Sequence, residues 1–269
     1  GNASPVGSYT VTVRATDGCS LATTSTFQLT VSSAAASVNG ANYIGAELAK
    51  ASIVSVFGLN LATETMNAPN LPLPTSLGGT TVKVKDSAGV ERAAQLFFVS
   101  PTQVNYQVPS GTASGVATIT ITNKDGIATP CSITVGAVAP GVFSADSSGK
   151  GWAAASAVYV KGVQQTNIPV AQFNSSQGKF VGVPIDLSSD PVVLILYATG
   201  VRNRTNLSNV KVKVDGVEVP LDYAGDQNEY AGLDQINAPL PKTLIGRGEV
   251  NVEVIVDGKV GNIVRISIK

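Results

Sequence analysis

The residue pattern is that of an all-β chain, built as tandem Ig-like β-sandwich domains behind an N-terminal β-hairpin, for three reasons. Short runs alternate β-branched with polar side chains and are cut by turn pairs such as Asp17-Gly18, Ser110-Gly111 and Asp125-Gly126, the period-2 pattern of half-buried strands. A longer motif occurs twice: Ser100-Pro-Thr-Gln-Val-Asn-Tyr-Gln-Val-Pro109 matches Gly232-Leu-Asp-Gln-Ile-Asn-Ala-Pro-Leu-Pro241 at an offset of 132 residues. Helical patterning is confined to one expected turn at residues 46–50. Short strands in two related sets are the signature of Ig-like sandwiches.

Taken in order, Tyr9-Thr-Val-Thr-Val-Arg-Ala-Thr16 and Thr26-Phe-Gln-Leu-Thr-Val31 flank Asp17-Gly18 and predict the hairpin. Two strands alone are marginal in water, so the hairpin is expected to pack on the next domain or to be the tail of a preceding one; its Gly-x-Tyr-x-Val-x-Val-x-Ala-x-Asp run, 7–17, resembles the closing strands of Ig-like repeats in bacterial surface proteins. Ser32-Ser-Ala-Ala-Ala-Ser37 reads as a linker, which makes 1–37 one unit. Ser52-Ile-Val-Ser-Val-Phe-Gly58 predicts a buried strand, and Pro69, Pro72 and Pro74 mark a long loop before the half-exposed strand Thr81-Val-Lys-Val-Lys85. Further strands are expected at 94–99, 103–108, 117–122 and 131–135, completing a first sandwich over 38–137. The second sandwich, 138–269, repeats the pattern: Val210-Lys-Val-Lys213 answers Val82-Lys-Val-Lys85, Leu196-Tyr-Ala-Thr-Gly200 answers Val54-Ser-Val-Phe-Gly58, and Asp257-Gly258 answers Asp125-Gly126. An insert-like stretch, 137–190, has no counterpart in the first copy.

Composition removes much chemistry. The 269 residues carry 18 Lys and Arg against 18 Asp and Glu and no His. Imidazole is therefore unavailable as general base, metal ligand or pH switch. Charged residues make up 13% of the chain, about half the ~25% usual for soluble domains, and no basic run offers a field for nucleic acid. No 18-residue apolar run is present, so no membrane insertion is expected. A bridge between Cys19 and Cys131 fits an oxidising compartment, and two unpaired thiols fit equally well. Should the hairpin dock on the first sandwich, such a bridge would close a loop of roughly 110 residues, worth about 4 to 5 kcal/mol of chain entropy.

The runs Ile53-Val-Ser-Val-Phe-Gly-Leu-Asn-Leu-Ala62, Leu77-Gly-Gly-Thr-Thr-Val82, Phe98-Val-Ser-Pro-Thr-Gln-Val-Asn-Tyr-Gln-Val-Pro109, Val138-Ala-Pro-Gly-Val-Phe143, Leu196-Tyr-Ala-Thr-Gly200 and Gly232-Leu-Asp-Gln-Ile-Asn237 stand in this order. In them the chain resembles the Solibacter-type uncharacterised C-terminal domain, a family of large secreted proteins of soil acidobacteria. The resemblance covers residues 38–269 and implies a C-terminal module, export and no assigned catalytic residues. It breaks before Ser52, where Leu48-Ala-Lys-Ala51 replaces an Ala-Pro-Gly turn, and over 151–190, where an Asn-x-Asp-Gly turn is missing.

Few residues invite a functional reading. Gln103 with Asn105, and Gln235 with Asn237, put two amides on one strand face; recurrence in both copies favours a structural motif, with the amides expected to bond the backbone of the adjoining proline loops. Trp152, with Tyr159 nearby in sequence, is the candidate ligand-binding pair, because an aromatic body with a polar edge suits a sugar face. The acidic run from Asp222 to Asp234 lacks EF-hand spacing and reads as a solvated loop. Ser147-x-x-Lys150 and Ser176-x-x-Lys179 match a nucleophile pattern by letters only.

The expected function is a non-catalytic, exported structural or adhesion module at the C-terminus of a larger surface or secreted protein. Its alternative is a carbohydrate-binding module built on Trp152. No cofactor and no metal is expected. Upstream domains of the same polypeptide are the expected partners, with a polysaccharide or a cell-surface protein beyond them, and no nucleic acid.

Overall fold

A computed structural model describes residues 7–18, 22–31 and 35–269. Strands dominate it, and the helical content among the described residues is two short 3-10 turns, Leu207–Asn209 and Lys242–Leu244. None of its helices is long and apolar enough to cross a membrane.

Gly7–Thr16 and Ala22–Val31 pair antiparallel as a sheet of their own, in register from Gly7 opposite Val31 to Thr16 opposite Ala22. Period-2 alternation gives this ribbon two unlike faces. Thr10, Thr12, Thr26 and Gln28 share the polar one, where Gln28 Nε2 donates to Thr10 Oγ1 at 2.9 Å. Val11 lies opposite Phe27 on the other, and Val13 and Phe27 are both about half exposed. Cys19 falls outside the described residues, and with it the geometry of a Cys19–Cys131 bridge.

The remaining strands form two sandwiches, each around its own core. In the first, one sheet runs Ala36–Asn39, Ile53–Phe57, Gln103–Gln107, Gln95–Val99 and Met66–Asn67. The other runs Leu48–Ala49, Ala128–Gly136, Gly115–Thr122, Thr80–Lys85 and Ser76–Leu77. Alternate residues point inward, so Val54, Val56, Val104 and Tyr106 meet Val82, Val84, Ile119 and Ile121 across the gap. The second sandwich repeats that order: Ala155–Lys161, Val192–Thr199, Asp234–Leu240 and Tyr223–Asp226 face Pro184–Ile185, Val264–Ile268, Gly248–Val256 and Val210–Val214. Leu194, Leu196 and Ile236 pack there against Val212, Val252, Val254 and Ile266.

Both copies open with a strand that leaves the first sheet and crosses to the second, where it pairs parallel with the final strand: Leu48–Ala49 on Val135 and Gly136, Pro184–Ile185 on Ser267 and Ile268. This is the Ig-like sheet division. The crossing also corrects the helical turn expected at 46–50, which is an extended edge pair. Leu48 and Ala49 are fully buried, and their ladder bonds and packing outweigh a weak local helix preference. In the second copy the crossing is longer, and the insert-like stretch is its content: the opening strand Ala155–Lys161, an edge strand Gln164–Pro169, and a hairpin of Ala171–Asn174 and Lys179–Gly182.

The two copies differ in register. Phe57 lies opposite Gln103 and Tyr197 lies opposite Gln235, whereas the sequence motifs align Gly58 with Gly200. Structural and sequence equivalence therefore differ by two residues, an even slip that leaves every side chain on its own face.

Candidate functional site

Polar contacts strap the two sandwiches together. Thr199 Oγ1, at the end of a second-copy strand, accepts from the Ile53 amide at 2.9 Å and donates to the Gly232 carbonyl at 2.7 Å. Asn39 Nδ2 donates to the Ala139 carbonyl at 2.9 Å and Asn203 Nδ2 to the Lys50 carbonyl at 2.8 Å. Lys259 Nζ pairs with Glu47 and also donates to the Val138 carbonyl at 3.0 Å. The sandwiches approach closely enough that a methyl group on Gly232, held at φ +69°, would lie 2.7 Å from Ile53 Cγ1.

The paired amides do the same thing in each copy. Gln103 Nε2 donates to Asn105 Oδ1 at 2.9 Å and Gln235 Nε2 to Asn237 Oδ1 at 2.8 Å. Their partners are each other, along one strand face, and not the backbone of the proline loops. A neighbour two positions on is always within reach on a pleated strand, which makes this the shorter route to satisfaction.

Buried carboxylates are committed to the fold. Asp234, fully buried, accepts from the Val201 amide at 2.6 Å and from Arg202 Nε at 2.6 Å, while Arg202 Nη1 reaches Asp226 at 2.7 Å and Nη2 the Leu233 carbonyl at 2.7 Å. Burial pushes the Asp234 carboxyl up, against the pull of Arg202 and the amides. Two acids of the 222–234 run thus converge on a guanidinium rather than on a space for a cation. Among the described residues no group of three or more His, Cys, Asp or Glu is placed to hold a metal ion. In the first copy Asp86 accepts from the amides of Ala88, Val90 and Ala113 and from Arg92. The half-buried Cys131 thiol lies 3.2 Å from Ser37 Oγ and is pushed up by burial, which makes it a poor nucleophile.

Trp152 is half-buried at the edge of the second sandwich and bridges in parallel to Arg265, whose guanidinium carbon lies over the indole 5.4 Å from the ring centroid. A methyl built on Gly182 would sit 2.4, 2.5 and 2.9 Å from Cζ3, Cη2 and Cε3; such similar distances to adjacent carbons put Gly182 over the face of the benzo ring. The indole is thus a wall, not a bare platform. It borders a cleft of about 510 Å³ between the sheet edge and the 171–182 hairpin, with Phe180, Lys179, Asp146 and Glu249 around it. Phe180 meets Phe173 edge to face at 5.5 Å. Val170, fully buried in the core, anchors the base of this hairpin through the amides of Val170 and Val183.

Tyr159 is elsewhere. Its ring packs on the second core and its hydroxyl accepts from the Asp186 amide at 2.9 Å. Of the candidate ligand-binding pair only Trp152 lines the cleft; Lys179 of the Ser176-x-x-Lys179 match is there too, while Arg265 and Phe180 join it through strand pairing and a hairpin that no local pattern announces.

No family model and no curated protein matches this chain. Among solved structures it is similar to the Bacteroides ovatus mixed-linkage glucan utilization locus protein SGBP-B, solved in complex with a mixed-linkage heptasaccharide, at 11% identity and a TM-score of 0.34, over 98% of this chain and 53% of that one. The chain spans about half the length of that protein.

Proposed function

We propose that this chain is a non-catalytic structural module of an exported protein, a stiff pair of sandwiches that holds neighbouring parts of a larger polypeptide at fixed spacing. The strapped junction carries the reading: a flexible pair would not bury a shared hydroxyl between Ile53 and Gly232. Supporting it, the buried carboxylates Asp86 and Asp234 have their hydrogen-bonding capacity spent on amides and arginines. The hairpin fits the same picture, since Val13 and Phe27 on its apolar face suit packing within another sandwich. The family resemblance is in keeping with export.

Carbodiimide treatment followed by peptide mapping tests the junction: Glu47 and Lys259 are expected to join in most molecules, and small-angle scattering to report one end-to-end length. A hinged chain would give little cross-link and a spread of lengths. Turnover of generic ester, peptide or glycoside substrates would overturn the non-catalytic part.

One observation favours a second reading, glycan recognition at a cell surface: indole, phenyl and guanidinium groups converge on the Trp152 cleft. Binding on a glycan array that is lost in Trp152→Ala, with folding intact, is the expected signature.

A further inference from the structure

The Trp152 cleft continues beyond its own sheet edge. Gly151 and Arg265 belong also to a trough of about 460 Å³ that crosses to the first sandwich, where Ile44 lines it, with Asn251 and Ile263 from the second. Strand register orders the floor. Trp152 bridges to Arg265, and Arg265 pairs with Asn251 on the next strand, so indole, guanidinium and amide stand in one row across neighbouring strands. Directly opposed residues share a face.

The polar groups in this row have unspent capacity. The nearest carboxylate oxygen to Arg265 is Glu249 Oε2 at 3.6 Å, beyond hydrogen-bond distance. Asn251 is exposed. Ile263 and Ile44, each about half exposed, add apolar surface farther along the trough. Such a strip, planar and apolar in parts and edged with donors, matches a chain of pyranose rings, which present C–H faces and hydroxyl edges in alternation.

We infer that cleft and trough together form one binding site for a linear, unbranched polysaccharide chain, running from Phe180 along the wall made by Trp152 and past Arg265 and Asn251 to Ile44. This rests on the glycan reading of the Trp152 cleft and extends it from a single sugar to a chain that touches both sandwiches. The straps at Thr199, Asn39 and Glu47 keep the two ends of the site in fixed relation, so the chain is met by a preformed surface.

Calorimetric titration of the whole chain with cello-, xylo- and laminari-oligosaccharides, from disaccharide to hexasaccharide, tests it. At least one series is expected to bind with an affinity that climbs about ten-fold or more between its shortest and longest members, as added contacts each contribute. Ile44→Ser and Ile263→Ser, both on exposed side chains, are expected to weaken the hexasaccharide several-fold and leave the disaccharide unchanged. Trp152→Ala and Phe180→Ala are expected to weaken every length, with thermal melts confirming that the variants fold. Equal affinity at all lengths, with the isoleucine variants silent, would overturn the extended site and leave a single-sugar site at Trp152 standing. No binding by any series, nor by the parent polysaccharides in an affinity gel, would sink both readings.

Discussion

The Thr199 hydroxyl accepts a hydrogen bond from the Ile53 backbone amide at 2.9 Å, joining residues 146 positions apart in different sandwiches. Because the same oxygen donates to Gly232 at 2.7 Å, a single buried side chain satisfies two backbone groups at the junction. Thr199→Val keeps the shape and removes both bonds. The expected loss is about 2 to 3 kcal/mol, since two partly or fully buried backbone groups lose their partner; Thr199→Ser is expected to retain most of it. Urea unfolding of the two variants beside the parent chain measures the difference.

Arg202 offers a second, larger effect. It is 14% exposed and its fork is divided between the fully buried Asp234, Asp226 and the Leu233 carbonyl. Arg202→Met leaves the Asp234 carboxylate buried without its cation, and about 3 to 5 kcal/mol of stability is expected to go. Arg202→Lys keeps charge but not the planar fork, and is expected to fall between the two. Equal stability of all three in chemical denaturation would show that the amides of Val201 and Arg202 suffice to hold Asp234.

Thr80 makes the opposite case. It is fully buried, and its hydroxyl is one of the side-chain groups without a hydrogen-bond partner among the described residues. Valine has nearly the same shape and nothing to desolvate, so Thr80→Val is expected to raise stability by about 1 kcal/mol. A melting temperature at or below that of the parent would mean that the hydroxyl is satisfied in solution.

Acid stability follows from Asp86. The Ala113 amide first, then Val90 and Arg92, hold its carboxyl down at about 2 against the opposing effect of burial, from an ordinary 3.8. A carboxyl lowered in the folded state stabilises it fully above the unfolded value of 3.8, and that contribution drains away as pH falls through about 2. Melting temperature is expected to drop over that window and to drop less steeply in Asp86→Asn. Asp186, held down to about 2 chiefly by Ser188, adds in the same direction. Parallel curves for parent and Asp86→Asn would assign the acid loss to other groups.

Local pattern alone announces the strands and the order in which they recur. Val82-Lys-Val-Lys85 and Val210-Lys-Val-Lys213 read as half-buried strands because a pleated backbone sends alternate side chains to opposite faces, a rule that needs no knowledge of the partner strand. The two amides of each Gln-x-Asn motif share a face for the same reason, and they bond each other within one strand. Encounters between residues far apart in the chain leave no such local trace. Leu48 and Ala49 became a parallel edge because Val135 and Gly136 came alongside, and local propensity carries no information about that encounter. Trp152 lies against a guanidinium and a glycine, and Tyr159 packs on the core, because the pairing of the second sandwich brings Arg265 and Gly182 beside one and Asp186 beside the other. Periodicity assigns a side chain to a face; which other side chains share that face is settled by pairing and register, and those depend on the packing of the whole chain.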